Sequence, residues 1–247
     1  MAKQSGLGDN FYVAGYDLSG DIAAISSISG GPATLEMTGI NKFAFERIGG
    51  RRDGSMEFSA YFNPSDDQAH ARLSALPSSD VILSYHRGTA LGNPAAALVA
   101  KQLNYDGSLD DDGGFKFSVT AQANSYGVEW GVQGTAGIRN DSEGTSGSSV
   151  DGGAASSFGL QAYLQVTGFT GTDATIKLQQ SSDDGDTDVW ADVTGGTFTE
   201  VSGITSERIA TADDLAVERY LRVVSSGTFT DLSFAVIICR NLTATKF

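Results

Sequence analysis

ATLEMTGINKFAFERIGGRRDGSMEFSAYFNPSDDQAHARLSAL, residues Ala33 to Leu76, reads as a strand, a long glycine- and arginine-bearing excursion, a second strand and a helix. The second strand is the clearest piece. Met56, Phe58, Ala60 and Phe62 alternate with Ser55, Glu57, Ser59 and Tyr61, the period of two that buries one sheet face. Asn63 and Pro64 end it. Ser65 stands three residues before Gln68, the spacing of a capping box, and Asp66 and Asp67 then fall at the positive end of a helix dipole. Ala69, Leu73 and Leu76 follow at helical spacing, and Pro77 is the stop. The excursion from Gly39 to Gly54 supports two readings. Phe43, Phe45 and Arg47 alternate as in a strand, whereas Thr38 or Asn41 would suit the start of a short helix ended by Gly49 and Gly50. In either form Arg47, Arg51 and Arg52 are expected as an exposed basic cluster.

Outward from this stretch, Asp17 to Ile28 reads as a strand with a bulge at Gly20, followed by a turn at Gly30, Gly31 and Pro32. Ala33 to Thr38 is the next strand, with Leu35 and Met37 on one face. Lys3 to Asn10 is polar and glycine-rich and reads as an arm. On the other side come strands at Val81 to Arg87 and Ala96 to Tyr105, then a strand in which Phe115, Phe117, Val119 and Ala121 alternate with Lys116, Ser118, Thr120 and Gln122. Asp106, Asp110, Asp111 and Asp112 lack the oxygen ladder and closing glutamate of an EF-hand loop and read as turn residues.

The order of these parts, and FERIGGRRDGSMEFSAYFNP followed by DDQAHARLSAL in particular, resembles the major tail (tail tube) proteins of long-tailed bacteriophages with flexible tails. The resemblance covers roughly Asp17 to Trp130. It implies six-fold rings stacked into a tube, each subunit giving strands to a shared inner barrel and packing one helix outside it. It also implies that the excursion, with its three arginines, reaches the neighbouring ring. The polar strand faces, Glu36, Glu57, Ser59, Lys116, Ser118, Thr120 and Gln122, are then the candidates to line a lumen. The expected partners are further copies of the chain and other tail proteins, such as a tape measure and a terminator. The expected place is the virion tail, assembled in a host cytoplasm.

Composition sets limits on function. The 247 residues carry 30 acidic and 16 basic side chains, a net charge of −14, and both halves are acidic. Such a surface releases few counterions from nucleic acid and is repelled by anionic membranes, so DNA would pass without specific binding. Cys239 is the single cysteine, which excludes an intrachain disulfide and a thiolate zinc cluster. His70 and His86 belong to no nucleophile, metal or phosphate motif and read as surface or boundary residues. No catalytic residue, metal or cofactor is expected.

Residues 138–155 are polar, with only Ile138 and Val150 as larger aliphatics, and read as a linker. They divide a tail-tube domain, residues 1–137, from a C-terminal β-sandwich, residues 156–247. In the latter Phe158, Leu160, Ala162, Leu164 and Val166 alternate, and so do Ala174, Ile176 and Leu178. Turn signals about every ten residues give seven or eight strands. Ser181, Asp183, Gly185 and Thr187 have Asp-box spacing, read as a fold-supporting hairpin turn. Trp190, Tyr163, Phe198 and Arg222 are residue types that line sugar platforms. The expected fold is therefore all-β with one helix. A glycan-binding adhesin, with the first domain as a stalk, is the competing class, and a type VI secretion tube protein a third.

Overall fold

The computed structural model describes residues 5–244; Lys3 and Gln4 of the expected arm lie outside that range. Among the described residues the regular structure is strand apart from one short helix. In order come β1 (Asn10–Val13), β2 (Tyr16–Asp17), β3 (Ile22–Glu36), β4 (Arg47–Tyr61), the helix α1 (Ala69–Leu73), β5 (Val81–His86), β6 (Pro94–Gln102), β7 (Asp106–Leu109) and β8 (Phe115–Ala123). Then follow β9 (Glu129–Gln133), β10 (Arg139–Asp141), β11 (Ser146–Asp151), β12 (Leu160–Ser181), β13 (Ala191–Thr197), β14 (Thr205–Ala210) and β15 (Tyr220–Arg240). The all-β expectation with a single helix holds.

β3 and β4 are each 15 residues long and pair as one antiparallel hairpin. This settles the excursion in favour of a strand: Arg47 to Tyr61 is continuous, only residues 37–46 form the loop, and Gly49 and Gly50 end no helix. Gly30, Gly31 and Pro32 do not turn the chain as expected. They pair with Gly54, Asp53 and Arg52, and the strand runs on through them. A proline is accommodated there because β3 is an edge strand, paired among the described residues only with β4.

Met56, Phe58 and Ala60 of β4 and Val119 and Ala121 of β8 pack on Phe11, Leu83, Leu98 and Leu73, with the Phe11 and Phe58 rings 4.7 Å apart. α1 covers this core through Ala69 and Leu73, but its start differs from the reading above. The cap residue is Gln68, without a side-chain cap bond, and no acidic residue lies in the first turn. The Asp21 carboxylate, distant in sequence, instead accepts the Ala69 amide proton at 2.9 Å. Ser65 and Asp67 are left in the preceding loop, where Asp67 has a left-handed φ of 65°.

β5 and β6 are buried on both faces. Leu83, Tyr85, Ala96 and Leu98 face the first core, while Ile82, Ala95, Ala97 and Val99 meet Tyr163, Ile237 and Cys239 of the C-terminal part. β9 then hydrogen-bonds to β6 on one side and β15 on the other, so one sheet path runs through both halves of the chain. Gly131 permits this approach: a Cβ there would lie 2.2 Å from the Ile238 carbonyl oxygen.

The C-terminal half is not seven or eight short strands. β12 and β15 are 22 and 21 residues long, and they pair along their lengths with register shifts around Gly168 and Gly171. Bulges at glycines bend both strands, and Leu160 and Leu164 before the bend share one core with Ile176 and Leu178 after it.

Residues 138–155 are not an unpaired linker. β10 and β11 both pair with β15. Little apolar burial is needed, because ladder bonds and two ion pairs order the segment: Arg139 donates to Asp141 Oδ2 at 2.6 Å and to the Val223 carbonyl at 2.8 Å, its guanidinium lies 4.7 Å from the centre of the Phe234 ring, and Asp151 accepts from Arg219 at 2.6 Å. Limited digestion of unassembled protein with subtilisin, a protease of broad specificity, is therefore expected to cut first in the exposed hairpin loop at residues 37–46, leaving residues 138–155 intact. First cuts within 138–155, mapped by mass spectrometry, would contradict this pairing.

Candidate assembly surfaces

Two features of the sheet β3–β4–β8–β7 stand out, its polar face and its free edges. Because side chains alternate along a strand, pairing β4 with β8 sets Glu57 beside Thr120, Ser59 beside Ser118, and Ser55 beside Gln122. β3 adds Ser27 next to Glu57 and Ser29 next to Ser55, whose hydroxyls are 2.9 Å apart. β7 places Asp106 beside Ser118. Lys116 pairs with Asp110 at 2.5 Å, and Gln122 donates to Asp53 at 2.7 Å. Six of the seven lumen candidates, Glu57, Ser59, Lys116, Ser118, Thr120 and Gln122, thus lie together on this face. Glu36 does not; it sits opposite Arg47 near the end of the hairpin.

Among the described residues β3 pairs only with β4, and β7 only with β8 or, at one end, nothing further. An unpaired row of backbone donors and acceptors is a template for another strand. The subunit carries one such row at each side of the polar-faced sheet.

The three arginines lie on β4 and are exposed, but not as one cluster. Arg51 and Arg52 stand at a register shift of the hairpin that interrupts the alternation along β4, and Arg47 lies beyond it, opposite Glu36. Arg47 stacks on Phe45 at 4.7 Å. What the sequence reading missed here is apolar. Leu35, Met37, Ile40, Phe43, Phe45 and Ile48 are all more than half exposed, Ile40 and Phe43 fully so. The period-two signal was present for Leu35, but the body of the domain that would cover that face ends lower down the hairpin.

The proposed sugar-binding types are not brought together. Tyr163 is fully buried and donates to Glu129 Oε2 at 2.5 Å, and Phe198 belongs to the C-terminal core. Arg222 lies 4.4 Å from the Trp190 ring centre and donates to Gln179. That stacked pair alone remains near the surface. The Asp-box residues form the expected turn. Asp183 accepts from the Thr187 amide at 2.8 Å and from its hydroxyl at 2.5 Å, which holds its carboxyl below the usual range. Gly185 has φ 83°, and a Cβ on it would strike the Trp190 ring.

Neither histidine is a simple surface residue. His70 packs on Phe62 and lies 3.2 Å from the Tyr105 hydroxyl. His86 is completely buried, with neither ring nitrogen hydrogen-bonded. Burial lowers its pKa to about 4, against weaker opposing effects of Gln133 and Asp17. A buried ion pair, which no spacing in the sequence announced, joins the two halves. Arg208 of β14 donates to Glu129 of β9 at 2.7 Å, with its guanidinium 3.7 Å from the Tyr126 ring centre. Burial works against the Arg208 charge, but the Glu129 carboxylate outweighs it and raises the pKa. Among the described residues no group of three His, Cys, Asp or Glu side chains is placed to hold a metal.

No protein-family model matches the chain, and neither does any curated protein. Solved structures do. The tail of an empty gene transfer agent particle, determined with C6 symmetry, is similar at 15% identity over 50% of this chain and 96% of its own, with a TM-score of 0.39. A native gene transfer agent virion chain gives 12% identity, 52% and 98% coverage, and 0.41. The Dit protein of phage SPP1, described as a hub of the adsorption apparatus, is similar at 10% identity over 93% of this chain and 98% of its own, with a TM-score of 0.34. These likenesses are weak and carry no residue role onto this chain.

Proposed function

We propose that this chain is a structural protein of a phage virion tail that assembles into six-fold rings stacked as a tube, through which DNA passes into the host. The observation that carries the reading is the sheet β3–β4–β8–β7, polar on one face, packed on the core by the other, and unpaired at both side edges. Strand edges that would aggregate in a monomer become joints when β3 of one copy pairs with β7 of the next and the ring closes. Glu57 and Asp106 then face the lumen with hydroxyl and amide side chains, a lining that repels phosphates rather than holding them.

The C-terminal half, fixed to the first by β9 and by the Glu129–Arg208 pair, decorates the outer surface. Tape measure and terminator proteins are the further partners this role implies. The work is assembly, and no catalytic step is assigned. Electron microscopy of the purified full chain is the test. Hollow rings or tubes are expected; a monodisperse monomer at every concentration would refute the reading.

A further inference from the structure

The two ends of the polar-faced sheet are unlike, and they match each other. β4 runs from Arg47 to Tyr61, which at about 3.3 Å per residue separates its ends by roughly 46 Å. At the Arg47 end the hairpin displays Leu35, Met37, Ile40, Phe43, Phe45 and Ile48, exposed beyond the body of the domain. Around them residues 33–52 carry four basic side chains against two acidic ones.

At the Tyr61 end lies a second exposed apolar group. The Phe62 amide donates to the Phe115 carbonyl, and Leu109 is the cross-strand partner of Phe115. The Phe62 and Phe115 rings are 5.5 Å apart. Phe62 is 42% exposed, Phe115 40% and Leu109 71%, so these three present a shallow aromatic floor to solvent. Its rim is acidic. Asp66 and Asp67 follow Phe62 in the chain, and Asp110, Asp111 and Asp112 form the turn between β7 and β8. Asp67 is paired with Arg72 and Asp110 with Lys116, which leaves exposed Asp66, Asp111 and Asp112 outside those pairs.

We propose that the Phe62–Leu109–Phe115 floor, with its aspartate rim, is the seat for the hairpin of a second copy of this chain. Ile40 and Phe43 cover the aromatic floor while the arginines face the aspartates. Apolar burial supplies the affinity, and charge complementarity sets which end meets which. Donor and acceptor are different patches at opposite ends of the same strands. Such a contact is heterologous and does not close, so repeating it extends a filament along the strand direction. The two acidic ends repel one another, which disfavours reversed stacking. This inference rests on the ring-and-tube reading and names the surface that reading leaves open.

The test uses the full chain in three variants, each assembled separately. Ile40→Asp with Phe43→Asp removes the donor, Leu109→Asp with Phe115→Asp removes the acceptor, and Asp111→Lys with Asp112→Lys reverses the rim without touching the core. By electron microscopy the first two are each expected to give single rings only. Mixed one to one they should form two-ring stacks and nothing longer, because one intact donor meets one intact acceptor. The rim variant should lose stacking most strongly at low salt, where screening is least. If the acceptor variant folds and stacks as the unaltered chain does, the inference is overturned while the tube reading stands. If the acceptor variant loses its far-UV circular dichroism, the rim variant decides, and its normal stacking overturns the inference. Failure of the unaltered chain to form rings at all refutes the functional reading itself.

Discussion

Glu129→Ala is expected to lower the stability of the chain by about 3–5 kcal/mol, the cost of breaking a buried ion pair from one side. Glu129 and Arg208 have side chains only 4% and 7% exposed, and Glu129 accepts from both the guanidinium and the Tyr163 hydroxyl. Alanine removes this acceptor, so the Arg208 charge loses its carboxylate and the buried Tyr163 hydroxyl, which still accepts from Arg208 Nε at 3.1 Å, loses the acceptor of its proton. Glu129→Gln keeps an acceptor and the shape and should cost less. Replacing the pair together, Glu129→Leu with Arg208→Met, should come close to neutral, because the desolvation penalty of both charges disappears with the attraction. Urea unfolding of the four proteins checks the cycle. A Glu129→Ala midpoint equal to that of the unaltered chain would show that the pair does not hold the two halves together.

Lowering the pH from 7 to 4.5 is expected to remove roughly 2 kcal/mol through His86 alone, the larger part of the free energy of its shift between a pKa of 6.5 in the unfolded chain and about 4 in the native one. Between those two values the unfolded state binds more protons than the native state, so stability rises with pH. The His86 contribution is complete above about pH 6.5 and is lost as pH falls toward 4. The groups around the ring favour its neutral form. Tyr12 packs edge-on at 4.9 Å and Ser84 lies beside Tyr12, while Gln133 works more weakly in the other direction. Asp17 is the nearby charge that opposes the shift. Carboxylates titrate in the same range, so the measurement is a difference: the fall in urea midpoint between pH 7 and pH 4.5 should be smaller in His86→Phe than in the unaltered chain. Equal falls in the two proteins would exclude His86 as the source.

Much of the first core was legible. Where one sheet face is buried, as at Met56, Phe58 and Ala60, hydrophobic alternation reports both strand and face. The same alternation misleads where the body of the domain ends. Phe62 and Leu35 continue the apolar parity yet are exposed, because position relative to the rest of the fold, not periodicity, decides their burial. The helix cap was misread for a related reason: Asp21 reaches the Ala69 amide across 48 positions of sequence, and no local spacing encodes that bond. Residues 138–155 looked unstructured because composition reports apolar burial and is blind to backbone ladders, which here are supplied by β15. The polar face of β4 and β8 was legible as a period of two. The Phe62–Leu109–Phe115 floor was not, since these residues meet only through the pairing of β7 with β8 and the Phe62–Phe115 backbone bond.

The most direct measurement is a helical reconstruction of the assembled full chain by cryo-electron microscopy. The expected map has β3 of each subunit hydrogen-bonded to β7 of its neighbour around a closed barrel, with Glu57, Ser59, Ser118 and Thr120 facing the lumen. A map in which β3 and β7 remain unpaired between subunits, or in which the Glu57 face points to the outside, would contradict the account.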